Sequence, residues 1–432
     1  MPPVPLTALD YMMVTAERRA RRDGFPGVQG QALVNFRGRI DLSQLQEAAD
    51  RLAARWPLIT ARLALAPPAA WVPTGAQRWP VQQQTVSSDS DADLLQAIFE
   101  IAAKPLDLEN EDPIRLTVLH LPGGDDVLAM NFTHILLDGH GVTGLMRQLL
   151  DPTEVPPSSD TVTAAADEVA QILARLSLRQ RMRGVRRMVR LARQVRPITL
   201  PLLDKPRPTS HARITLRWID ETGSAAIRER LERAGPYANL LFAVLASGCR
   251  TLSRHIPGPL GPRDGYRMVL HYDLRRGAQK RLIFQNLAGR IVLAARPTDL
   301  GDKEGLVRMF ATQAKTQIAE KTSLAVLQVV QILRAVDRWA PWLPSVRPPE
   351  SSVHGSTWPE FLERGRRVFG ATLDYSWFTV FFLPKFANVN VALNLVKVGQ
   401  RYRVVFMNSP HHFTDEQASQ FLDEWLEDLC SP

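Results

Sequence analysis

Asn131-Phe132-Thr133-His134-Ile135-Leu136-Leu137-Asp138-Gly139 is the stretch on which the fold of this chain turns. Just before and into it, residues 127–132 put apolar side chains on both faces, the pattern of a central, buried strand. His134 follows at the end of that strand, where a side chain is held rigidly and can point into an interface. An ordinary imidazole pKa of about 6.5 suits it to accept a proton at neutral pH. Asp138 and Gly139 stand four and five positions after His134, and a helix begins soon after. A glycine there lets the backbone turn sharply or lets a substrate come close. By spacing alone, the same residues also describe a hydrogen-bonded turn histidine with no chemistry to perform.

Outward from this stretch the pattern is mixed. Residues 114–121 alternate, with Ile114, Leu116 and Val118 on one face and Arg115 and Thr117 on the other. Gly123-Gly124-Asp125-Asp126 is a turn, so the two strands are expected to pair as an antiparallel hairpin. Upstream, Asp41 with Gln44 can cap a helix striped by Leu45, Ala49, Leu52 and Ala53 and stopped by Pro57. Residues 91–104 form a second helix, with Leu94, Leu95, Ile98 and Ile101 on one side. Residues 151–160, rich in Pro and Ser, end the first unit. Residues 161–196 are helical in pattern with an interruption at Gly184, and the four prolines in 197–210 mark an extended linker. A second α+β unit follows, with strands near 212–218, 268–272, 290–294, 376–383, 389–395 and 402–406. Its helices lie near 224–234, 239–255, 303–320, 325–337 and 414–429. The expected division is 1–155, 156–210 and 211–432.

Composition agrees with two units. The chain has 432 residues, and single cores stop growing at roughly 250–300. Only Cys249 and Cys430 occur, so neither a disulfide framework nor a cysteine zinc site is expected, and a reducing compartment fits. The first residues lack the basic and apolar regions of a signal peptide, and no window of about 18 apolar residues suggests a spanning helix. A cytoplasmic protein is expected. The net charge of +9 is concentrated: nine arginines and no acid lie between Arg175 and Arg196. Arg175, Arg179, Arg183, Arg186, Arg190 and Arg193 share one helix face, with Leu178, Met182, Val185 and Val189 on another. That basic amphipathic helix suits an anionic membrane surface, an acidic acyl-carrier protein, or simple packing on the body. No nucleic-acid motif accompanies it, so nucleic acid is not expected as a partner.

The His134–Gly139 stretch resembles the HxxxDG motif of the CoA-dependent acyltransferase superfamily. This group includes chloramphenicol acetyltransferase, condensation domains, plant BAHD acyltransferases, polyketide-associated acyltransferases and wax ester synthase/diacylglycerol acyltransferases. Pro105-Leu106-Asp107-Leu108 and Asp112-Pro113-Ile114-Arg115-Leu116 resemble the PFDL…PLLRV run that precedes the motif in condensation domains. The segment from Trp56-Pro57 to Arg62-Leu63 resembles their HPALRTRF segment. Pro5-Leu6-Thr7-Ala8-Leu9-Asp10 resembles the PLSPLD opening of wax ester synthases. Asp273-Leu274-Arg275-Arg276 and Asn286-Leu287-Ala288-Gly289 resemble the DLR…GN run of the second half. The chain departs from relatives that carry two adjacent histidines, having Thr133 first. It also departs from the plant DFGWG motif: Asp374-Tyr375-Ser376-Trp377-Phe378 lacks both glycines and reads as a buried strand.

The resemblance implies an α+β fold of two chloramphenicol-acetyltransferase-like halves, set as a V-shaped pseudo-dimer around an active-site tunnel. It implies an acyl transfer in which His134 is the general base and a thioester on CoA or a phosphopantetheine arm is co-substrate, with no resident cofactor or metal. Asp138 would form a structural salt bridge with an arginine, for which Arg62 is the candidate, and Gly139 would keep the tunnel open. Thr133, Asn286 and Ser376 are the candidate tunnel residues. The acceptor is expected to be an alcohol, in lipid or natural-product biosynthesis. The alternatives are a free-standing condensation enzyme that makes an amide and an inactive relative that acts as a scaffold. His411-His412 lacks a glycine at the motif spacing, and Thr414 with Gln417 there reads as a helix cap.

Overall fold

The computed structural model describes residues 2–22, 26–65, 69–151, 164–198, 200–201, 203, 213–276, 283–324, 327–329, 351–358, 360, 362–380 and 389–431. The chain begins with β1 (Val4–Pro5) and α1 (Ala8–Arg22) and continues through β2 (Gln29–Arg37), α2 (Leu42–Arg55), β3 (Ala61–Ala64), β4 (Ala70–Pro73) and β5 (Val81–Thr85). Next come α3 (Asp91–Ala103), β6 (Ile114–His120), β7 (Asp126–Thr133) and α4 (Gly139–Leu150). Helices α5 (Ala164–Ala174) and α6 (Leu178–Gln194) and β8 (Arg196–Pro197) lead to β9 (Arg213–Ile219), α7 (Glu221–Ala234) and α8 (Leu240–Arg254). They are followed by β10 (Asp264–Asp273), β11 (Ala288–Ala295), α9 (Lys303–Ala319), β12 (Ser351–Trp358), β13 (Arg367–Val368) and β14 (Ala371–Val380). The last elements are β15 (Val389–Val398), β16 (Arg401–Asn408) and α10 (Asp415–Cys430).

Strand β7 is buried along its whole length because it is central, paired antiparallel with β6 on one side and β2 on the other. Its sheet has the order β13-β14-β2-β7-β6-β5. One face carries α2 and α4, and Leu45, Leu52, Leu116, Leu128, Met130, Leu145 and Leu149 fill the core between them. Helix α2 starts where Asp41 accepts the N–H groups of Ser43 and Gln44, and its buried stripe is the one read from the sequence. The second half has a sheet β12-β15-β16-β9. Strand β10 runs beside β12, held by the hydroxyls of Ser351 and Ser352, which accept the N–H groups of Val269 and Arg267. On the other side β10 pairs with β11. Helices α7, α8, α9 and α10 cover one face of this assembly. A third core joins the halves: Leu33, Ile98, Val127 and Ala129 of the first pack against Leu216, Val396, Val405 and Met407 of the second.

Two expectations change. The second unit, expected as 211–432, is not spatially separate, because β14 crosses over and pairs with β2 in the first sheet, Ser376 opposite Val34 and Phe378 opposite Ala32, with β13 beside it at the sheet edge. The expected break at Gly184 is also absent. Gly184 lies buried inside α6, and the interruption comes between α5 and α6, where Ser177 and Gln180 form a reciprocal capping box. A glycine inside a helix costs about 1 kcal/mol but does not stop it, whereas a capping box starts a new one. Residues 152–163, 204–212 and most of the helix expected over 325–337 lie outside the described residues, as do 381–383 of the strand expected over 376–383.

Candidate active site

The loop after β7 is tied at each step. His134 donates its backbone N–H to Val28 at 2.9 Å, which aligns the strand end with the start of β2. The Thr133 hydroxyl accepts the Ile135 N–H at 3.3 Å, and the Thr133 carbonyl accepts from Leu136. Ile135, Leu136 and Leu137 are fully buried and anchor the turn in the core. Asp138 then caps α4, accepting the Gly141 N–H at 2.7 Å. Thr133, expected as a tunnel residue, is only 1% exposed and is built into the turn itself.

The second half holds this loop from the other side. Asn286 donates its side-chain amide to the carbonyls of His134 at 3.0 Å and Ile135 at 2.7 Å, sharing it with the Asp10 carboxylate at 2.8 Å. Asn286 is buried, so it fixes the loop rather than lining an opening. Asp138 binds Arg275, whose Nη2 lies 2.9 and 3.0 Å from the two carboxylate oxygens. Leu287 adds an N–H at 2.9 Å. Arg275 is itself wholly buried and also binds Asp273 at 2.8 Å and the Ile283 carbonyl at 2.6 Å. Burial pushes the Asp138 carboxyl up, but the Arg275 charge and the N–H groups of Leu287 and Gly141 outweigh it, so its pKa falls below the usual carboxylate range.

Arg62 is therefore not the partner of Asp138. It pairs with Asp112 in a partly exposed bridge. The partner, Arg275, lies in the Asp273–Arg276 run, whose likeness to DLR does not by itself assign it that role. Asp10 stands likewise in the run likened to PLSPLD; burial raises its pKa to about 6. Ser376 is buried on β14 and lines a different pocket, with Glu360, Leu362 and Lys397.

Gly139 and Gly141 permit close approaches between the halves. A Cβ on Gly139 would lie 2.1 Å from the Trp358 ring, and one on Gly141 would lie 1.8 Å from the Phe284 carbonyl. Trp358 ends β12. On that strand Val353 and Gly355 pack toward α8, so His354, Ser356 and Trp358 occupy the opposite face, which meets the motif loop. The neighbouring strands place His271 of β10 directly opposite Arg290 of β11 on the same sheet.

His134 is partly exposed. Burial lowers its pKa. A contact with its own main chain, the Asp138 charge and Asn286 oppose this in part, and the Arg290 charge adds to it. His271 behaves similarly but more strongly: burial, then the charges of Arg290, His354 and His134, drive its pKa well below the ordinary value, although its surface is exposed. His354, also partly exposed, is pushed down to about 4, first by burial and then by the His134 charge.

This architecture, an α+β pair of chloramphenicol-acetyltransferase-like halves meeting at the His134 loop, is the condensation-domain fold. In particular, the chain is similar to the first condensation domain of the calcium-dependent antibiotic synthetase, with a TM-score of 0.74 at 14% identity over 100% of this chain and 97% of that one. It is similar to the condensation domain of the monacolin K polyketide synthase, with a TM-score of 0.72 at 14% identity over 100% and 97%. It is also similar to a trichothecene 15-O-acetyltransferase from Fusarium sporotrichioides, with a TM-score of 0.75 at 12% identity over 99% and 95%. No family model matches the sequence, and no curated protein sequence matches it significantly. Among the described residues, no helix is long and apolar enough to cross a membrane.

Proposed function

We propose that this protein is an acyltransferase that moves an acyl group from a thioester to an alcohol, with His134 as general base. The observation that carries the reading is a partly exposed histidine at a strand end, between two halves, held by Asn286 and by the buried Asp138–Arg275 pair. The lowered pKa leaves its imidazole neutral at physiological pH, the form a base requires. His134 takes the proton from the acceptor hydroxyl as its oxygen attacks the thioester carbonyl. The C–O bond forms, the tetrahedral intermediate collapses, the C–S bond breaks, and the imidazolium returns its proton to the leaving thiolate. Holding both substrates at one histidine supplies much of the acceleration. Asp138 does not relay a proton; its oxygens are occupied by Arg275, Leu287 and Gly141.

The co-substrate is an acyl thioester of CoA or of a carrier protein, and no metal or resident cofactor enters the reaction so proposed. We assign the protein to the cytoplasm, with α6 as its docking surface. An anionic membrane suits α6 better than an acidic carrier protein, because Leu178, Met182 and Val189 stand exposed beside its arginines.

The test is thiol release and product mass, followed together with a panel of acyl-CoAs and alcohols or amines, for wild type and His134→Ala. Coupled release and ester formation, lost by at least about a hundredfold in the variant, is expected. Because the base must be unprotonated and its pKa is lowered, the acid limb of kcat/KM should lie below pH 6.5. Equal activity in the variant would sink the mechanism, and an amide as the only product would replace ester formation with condensation.

A further inference from the structure

The mechanism above leaves one group of side chains without a task. Arg290 on β11 stands opposite His271 on β10 in the strand register, and its Nε donates to His271 Nε2 at 3.2 Å. His354 projects from β12, which runs beside β10, on the face that meets the motif loop. All three lie near enough to His134 or to each other for their charges to interact, and all three are accessible.

The contrast with Arg275 is informative. Both guanidinium groups stand close to the His134 loop, Arg275 buried and Arg290 partly exposed. Arg275 is neutralised by Asp138 and Asp273. Arg290 has no carboxylate partner among the described residues, and the one bond it makes is to a neutral ring nitrogen that leaves its charge uncancelled. Enclosure in protein pushes its pKa down to about 10, a sign that nothing nearby compensates the cation. A partly desolvated cation with no partner is costly, and an anion that arrives to meet it relieves that cost. Accepting from Arg290 through Nε2 fixes His271 as the tautomer that carries its proton on Nδ1. The ring thus offers a second donor, and the Arg290 Nη groups offer a planar fork suited to two oxygens.

We propose that Arg290, His271 and His354 form a binding site for an oxyanion of the substrate, a carboxylate or a phosphate, beside His134. This deepens the acyltransferase reading and rests on it for what the bound molecule then does: one of the two substrates carries an acidic group close to its reacting centre. A bound anion would also cancel the Arg290 charge that depresses His134, leaving that base stronger in the complex than in the free protein.

The test is calorimetric binding without turnover, so its outcome is independent of thiol release: either can fail while the other succeeds. The probes are decanoate, decyl phosphate and neutral methyl decanoate, each titrated into wild type, Arg290→Gln and Arg290→Lys. At least one anion is expected to bind wild type more tightly than the ester does, and which one does so identifies the group. Arg290→Gln should weaken that anion roughly ten- to a hundredfold and leave the ester unchanged, with Arg290→Lys between them. Wild type binding the ester as well as either anion, or binding neither anion, overturns the proposal. So does an equal loss of anion and ester in Arg290→Gln. The wild-type comparison stands even where a variant does not fold.

Discussion

Two arginine–aspartate pairs separate a bridge that organises the site from one that decorates it. Arg275 and Asp138 are buried and lie 137 positions apart in sequence. Arg62 and Asp112 are partly exposed. Removing one member of a buried pair strands an uncompensated charge, at a cost of about 3–5 kcal/mol, whereas an exposed bridge contributes about 0–1 kcal/mol. Arg275→Met should therefore lower the unfolding free energy in urea by several kcal/mol and Arg62→Met by less than about 1 kcal/mol, with activity lost in the first and largely kept in the second. The reverse order would return Arg62 to the role that its position in the LRTRF-like segment first implied. The sequence displayed His134, Asp138 and Gly139 because they are consecutive turns of one strand–loop–helix unit. Arg275 belonged to a recognisable run, but nothing local says that a residue so distant closes onto Asp138. His271 and Arg290 fall in strands legible from the sequence, but neither they nor His354 are marked there as site residues: each is a polar position in an otherwise ordinary strand, and which sheet face it occupies is settled only once the halves have met.

Helices announced themselves better than strands, and the reasons are visible element by element. The stripes of α2 and α3 recur at helical spacing because each helix buries one side only. Strand β2 escaped reading: Gln29–Arg37 is buried on both faces, so Gln, Gly and Asn sit among apolar residues without alternation. Helix α6 was legible as basic and amphipathic, but which side faces inward was not. In the structure Gly184 is buried, Arg187 pairs with Glu320, and Arg181 donates to the carbonyls that end α5. Leu178, Met182 and Val189 are left outside, 73%, 46% and 38% exposed, at helical spacing. Arg179, Arg183, Arg186, Arg190 and Arg193 flank them and are exposed as well. Apolar side chains that can enter a headgroup layer, beside cations worth about 1 kcal/mol each near an anionic surface, suit the membrane docking proposed for α6. The protein should co-sediment with vesicles containing anionic lipid and not with neutral ones, and high salt should release it. Met182→Glu should abolish sedimentation while thiol release from soluble substrates continues. Sedimentation unaffected by that change would remove α6 from the contact.

At the scale of the molecule, the halves are interleaved rather than adjoining. Strand β14 belongs late in the chain but pairs with β2, one of the earliest strands, and Trp377 on it joins the core shared by both halves. The crossover matters to the site because it binds the second half to the sheet whose central strand ends at His134, while Trp358 and Asn286 press on the loop from the facing side. It also means that the first half has no independent border. Without β14, the β2 edge would present a row of unpaired backbone groups flanked by Leu33 and Val34, the kind of edge that natural sheets cover or charge. Residues 1–203 expressed alone should therefore aggregate or unfold without cooperativity. The same fragment co-expressed with residues 204–432 should be recovered as a soluble complex with the circular dichroism of the intact chain, since the strand order does not require a continuous backbone between the pieces. A monomeric, cooperatively melting 1–203 fragment would show instead that the crossover strand is an accessory, and that the loop around His134 is organised before the second half arrives.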